Sequence, residues 1–78
     1  MENGKVYEGI VKWFNVPRGW GWIEVDDHKD VFVHYTNIER GSYNEETGNK
    51  FLEAGAKVSF ILVEGDNGKL KAGHVELI

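Results

Sequence analysis

The 78-residue sequence predicts an all-β fold, a small five-stranded antiparallel Greek-key barrel. Three observations predict it. The apolar pattern is that of five short strands, with little helical periodicity. One long polar connection separates the third run from the fourth. Aromatic residues make up 13% of the chain and there are 10 glycines beside a single proline, a balance that suits a small, strongly curved sheet. A chain this short buries only roughly 60–65% of its extended surface, so residues 1–78 read as a single domain around one core.

The first strand is predicted over residues 5–15. Val16-Pro17-Arg18-Gly19 then turns the chain, because Pro17 fixes φ and Gly19 supplies conformational freedom. The second strand spans residues 20–25, the connection 26–30 follows, and the third strand spans 31–35. Residues 36–39 suit one helical turn. The region to residue 56 is polar and acidic and reads as a long loop at about 39–56, with Phe51 and Leu52 as its anchors to the barrel. The fourth and fifth strands are predicted over 57–64 and 69–77, joined through Gly65-Asp66-Asn67-Gly68, whose Asn-Gly pair is a two-residue hairpin signal. Five short strands with one long third connection match the OB-fold architecture.

Strand parity decides which residues face water. Trp20, Trp22 and Glu24 share one side of the second strand, and Gly21, Ile23 and Val25 share the other. On the third strand Phe32 and His34 oppose Val31, Val33 and Tyr35. With the tryptophans inside, Glu24 would be buried without a partner, at a cost of several kcal/mol, and four aliphatic residues would line the exterior. The opposite choice is favoured, so Trp20, Trp22, Phe32 and His34 form an exposed aromatic face, with Tyr35 at its rim. Lys12, Trp13 and Phe14 cannot all share one side of a regular strand. Phe14 is read as core and Trp13 as solvent-facing, with Lys12 beside it if a bulge interrupts the alternation.

The charge balance, 9 basic against 13 acidic residues, argues against a protein held to nucleic acid chiefly by phosphate neutralisation. The absence of cysteine leaves no disulfide and no thiolate metal site, and with no apolar leader or span it favours a cytoplasmic, non-membrane protein. The segment Asp26-Asp27-His28-Lys29-Asp30 lacks the glycine and distal glutamate of a calcium loop and reads as a solvated turn. His28, His34 and His74 have no zinc-site spacing. No nucleophile motif or phosphate-binding glycine loop is present, so neither catalysis, a metal nor a cofactor is expected.

An exposed aromatic patch calls for a flat partner. Nucleobases stack on such rings for about 1–3 kcal/mol each, with little regard to sequence. A duplex keeps its bases stacked on one another, so the partner would be a single strand. Lys12 and Arg18 border the face, and Asp26, Asp27 and Asp30 are placed to accept hydrogen bonds from base amino groups. Tryptophan faces also stack on sugars, so a glycan- or protein-binding module stays open as the alternative.

In this setting the chain resembles the bacterial cold shock domain family. Lys12-Trp13-Phe14-Asn15 matches its first-strand Lys-Trp-Phe-Asn. Arg18-Gly19-Trp20-Gly21-Trp22-Ile23 is similar to the first ribonucleoprotein-type motif, Lys-Gly-Phe-Gly-Phe-Ile, and Val31-Phe32-Val33-His34-Tyr35 to the second, Val-Phe-Val-His-Phe. Residues 53–60 resemble the start of the family's fourth strand. The resemblance implies an OB-like barrel that binds single-stranded RNA and DNA and serves as an RNA chaperone or a regulator of transcription and translation. It implies contact roles for Lys12, Trp13, Arg18, Trp20, Trp22, Asp30, Phe32, His34 and Tyr35. Two departures stand out. The loop after Ile38 is about six residues longer than is usual, by comparison with a family whose compactness follows from a single small core. Tyr43 takes the place of that loop's stacking aromatic as a secondary candidate. The last hairpin has Gly68-Lys69 in place of Gly-Pro, so Lys69 is a secondary candidate for its basic contact. A monomer is expected.

Overall fold

The structure, a computed structural model, describes residues 5–26, 30–65 and 68–78. Among the described residues there are eight strands: β1 (Val6–Asn15), β2 (Trp20–Glu24), β3 (Val31–His34), β4 (Ile38–Arg40), β5 (Ser42–Tyr43), β6 (Lys50–Phe51), β7 (Lys57–Glu64) and β8 (Leu70–Leu77). Five of them form the predicted barrel. Long β1 serves two neighbours, pairing antiparallel with β7 through Val6–Ile10 and with β2 from Ile10 to Asn15. The order runs β3-β2-β1-β7-β8, and a parallel bridge between Phe32 of β3 and Lys71 of β8 closes the barrel.

The core follows the parity argument. Ile23 and Val33 are 0% exposed and Val31 6%, while the alternate residues Trp22, Phe32 and His34 lie on the other side, half-buried. On β7, Val58, Phe60 and Leu62 point inward in the same two-residue rhythm. Full burial of each such side chain contributes about 1.5–3 kcal/mol. Among the described residues no polar or charged side chain is buried. The pairing of β1 with β2 slips between Val11 and Trp13, so Lys12 is the extra residue of the expected bulge. The slip lets Val11 stay in the core while Trp13 faces solvent, and Phe14 packs against the core from its edge.

Several details differ from the sequence reading, strand ends by a residue among them. Strand β3 stops at His34, one residue early, and the helical turn is a 3₁₀ turn over Tyr35–Asn37. It ends there because Ile38, 4% exposed, enters the core and pairs with Val75 of β8. The long connection is not a plain loop. Beyond β4 it folds into a small hairpin, β5 against β6, pairing Ser42 with Phe51 and Tyr43 with Lys50. The tip is held by a side chain, since the Asn44 side-chain oxygen Oδ1 accepts the Glu46 and Thr47 N–H groups at 2.9 and 3.3 Å. Leu52 anchors it as expected, at 1% exposure, and Phe51 is half-buried.

The β7–β8 connection closes on a Gly65 N–H bonded to the Lys69 carbonyl at 2.7 Å, wider than a two-residue turn. Asp66 and Asn67 lie outside the described residues, as do Asp27, His28 and Lys29 of the acidic segment. A second slip, between Ser59 and Ile61, leaves His74 with φ +48° in β8, its imidazole in contact with the Glu39 carboxylate. Among the described residues no helix is long and apolar enough to cross a membrane, and no cluster of three histidine or carboxylate side chains is placed to hold a metal ion.

Candidate nucleic-acid interface

The face is built where β1, β2 and β3 lie side by side. Cross-strand pairing puts Trp13 opposite Trp22, Trp22 opposite Phe32, and Trp20 opposite His34. The rings touch in sequence. Trp13 meets Trp20 edge-on with centroids 5.0 Å apart, Trp20 stacks on Phe32 at 6.0 Å, and Phe32 meets Trp22 edge-on at 5.6 Å. These are the separations of favourable aromatic pairs, so each ring holds its neighbour in place. Trp13 is 41% exposed, and Trp20, Trp22 and Phe32 are half-buried, each ring backed by others yet open on one side.

The turn before β2 carries the far end of the face. The Arg18 N–H donates to the Asn15 side-chain oxygen at 3.1 Å, and the Gly19 N–H donates to the Asn15 carbonyl at 2.7 Å. Gly19 has φ +78°, and a Cβ there would lie 2.4 Å from the Tyr35 ring. Only glycine lets Tyr35 lie against the turn. The tyrosine therefore sits at the rim while also packing on the core, and its ring centroid is 4.7 Å from that of His34. His34 caps the 3₁₀ turn, with Nδ1 2.8 Å from the Thr36 hydroxyl and accepting the Thr36 N–H at 3.4 Å. The imidazole is thus oriented by its own strand end.

Charge borders the rings. The Lys12 ammonium donates to the Asp30 carboxylate at 3.0 Å, and both side chains remain accessible. That hydrogen bond and the carboxylate's charge raise the Lys12 pKa above its ordinary value, so the lysine stays cationic. Arg18 is exposed and its side chain enters no ion pair among the described residues. Beyond Trp22 and Phe32 the face drops into an open groove of about 570 Å³, lined also by Asp30, Gly65, Lys69, Leu70 and Lys71.

Of the sequence candidates, Trp13, Trp20, Trp22 and Phe32 come together as one patch, with His34 and Tyr35 at one end. Lys12 and Asp30 form a pair beside it, and Lys69 lines the groove. Tyr43, 61% exposed on the added hairpin, joins none of the ring contacts. The sequence reading missed Lys71, which the β3–β8 bridge sets opposite Phe32. Its parity with Lys69 was the available signal.

Comparison with known proteins gives the chain its family. The 'Cold-shock' DNA-binding domain family matches residues 7–78. The chain belongs to the cold-shock domain family. Cold shock protein CspD of Bacillus subtilis is 47% identical over 77 residues, covering 99% of this chain and 100% of the relative. Cold shock protein CspA of Staphylococcus haemolyticus is 46% identical over 70 residues, covering 90% of this chain and 97% of its own length, and the CspA of Staphylococcus aureus aligns equally well. This cold-shock domain is accordingly a nucleic-acid-binding protein and not an enzyme. The glycan- or protein-binding alternative finds no support in the family.

Proposed function

We propose that this cold-shock domain binds single-stranded RNA and DNA by stacking successive bases on Trp13, Trp20, Trp22 and Phe32, with His34 and Tyr35 extending the row. The observation that carries the reading is the run of touching rings on the outer side of β1–β3, above an aliphatic core that does not need them. Each base would gain about 1–3 kcal/mol from stacking, and a few bases suffice after the cost of ordering the strand. Lys12 and Arg18 would meet phosphates or stack on bases, and Asp30 would accept from base amino groups. Tyr43 and Lys69 are secondary contacts.

Such binding holds a strand open without reading its sequence. It suits an RNA chaperone that keeps weak hairpins melted during transcription or translation. The domain is read as a cytoplasmic monomer, since a small barrel whose largest aromatic surface serves a ligand has little else to offer a second copy.

The test is a titration. All three tryptophans of the chain belong to the proposed face. Single-stranded pyrimidine oligonucleotides are expected to quench their fluorescence strongly, and duplex of equal length to quench it little. Equal quenching by both, or none by either, would overturn stacking as the mode of binding.

A further inference from the structure

The groove between the aromatic face and the start of β8 holds a cation that the sequence motifs do not include. Lys71 is the β8 residue bridged to Phe32, so it stands on the barrel wall directly beside one ring of the stacking row. It is half-buried, between exposed Leu70 and buried Ala72. Trp22 and Phe32 line the groove together with Gly65, Lys69, Leu70 and Lys71. Asp30 is its one acidic lining residue among those described, and that carboxylate is occupied by Lys12 at 3.0 Å. Lys71 enters none of the ion pairs among the described residues.

A base lying against Trp22 or Phe32 needs room for its sugar and phosphate beyond the ring edge. The groove lies on that side, with the ammonium of a long, flexible side chain at hand. We propose that Lys71 is a phosphate-contacting residue of the bound strand, so that the strand's backbone crosses the β3–β8 seam and runs along this groove. The proposal rests on the stacking reading above. The chemistry is that of a phosphodiester meeting a lysine as a point charge, without base selectivity. Where the acidic chain repels phosphates at large, one cation at this point fixes which side of the aromatic row the backbone takes.

The test uses the full chain and single-stranded oligothymidylate, followed by tryptophan quenching across a salt series. Lys71→Gln keeps most of the side chain's length while removing its charge. It is expected to weaken binding about three- to fivefold at low salt and to flatten the dependence of log K on log salt by about 0.7, the contribution of one single-strand phosphate. Lys71→Arg should restore both. Lys57→Gln is the charge-matched control, because Lys57 pairs with Glu8 at 3.4 Å and does not line the groove. It should change the slope little. If Lys71→Gln and Lys57→Gln behave alike while the wild type is quenched normally, Lys71 makes no phosphate contact and the proposal falls, with stacking intact. If the wild type itself is not quenched, stacking falls and this proposal with it.

Discussion

Gly21 lies beneath the tryptophans and fixes how closely β1 and β2 approach. A Cβ at this position would lie 2.3 Å from the Trp13 carbonyl oxygen and 2.8 Å from the Phe14 Cα. Those are backbone atoms and cannot swing aside as a side chain would. Gly21→Ala is therefore expected to destabilise the fold by about 1–3 kcal/mol, the usual cost of overpacking. A domain of this size should then melt lower by about 4–8 °C per kcal/mol. Thermal unfolding checks this, and an unchanged Tm would show that the strands can separate at no cost. Lys12 and Asp30 illustrate a different residue-scale effect. Parity and motif matching singled out both as ligand contacts, yet neither could reveal that the two are bonded to each other. A bulge at Lys12 and the position of Asp30 just before β3 bring them together across 18 positions of sequence.

At the scale of elements, the strands that carry the face were legible because β2 and β3 alternate an aliphatic residue or glycine with a polar or aromatic one. Ile23, Val31 and Val33 against Trp22 and Phe32 leave only one sensible orientation. The β5–β6 hairpin was not legible for the opposite reason. Its strands are two residues each, too short to show an alternation, and it is held by local bonds such as those to the Asn44 side chain. Its one tie to the core is apolar and was foreseen. Leu52→Ala is expected to cost about 2–5 kcal/mol, as for other buried leucines, whereas Glu46→Ala at the exposed tip should stay within about 0.5 kcal/mol of wild type. Urea denaturation of the two variants checks the contrast. Equal midpoints would mean that the hairpin floats free of the barrel.

On the scale of the whole molecule, affinity must come from rings more than from charge. The chain carries a net charge of −4, and among the described residues the lysines and arginine at the face or its groove are Lys12, Arg18, Lys69 and Lys71. The slope of log K against log salt for single strands is therefore expected to be no steeper than about −3, even if all four meet phosphates. A markedly steeper slope would place the strand on some other, more basic surface. Lys71 escaped the sequence reading for a reason that belongs to this scale. Its place beside Phe32 depends on barrel closure between residues 39 apart, set by the path of every strand between them.

The pleat that sends Trp20 and Trp22 outward and Ile23 inward has a consequence for how such a protein can change over generations. Ring size at positions 20 and 22 alters no interior volume, so tryptophan and phenylalanine are interchangeable there as far as the barrel's packing is concerned. Mutational drift can then retune what the surface prefers while the interior stays under separate selection. The two histories meet at Gly19 and Gly21, where the backbone itself makes room for its neighbours, and at Tyr35, which serves both rim and core.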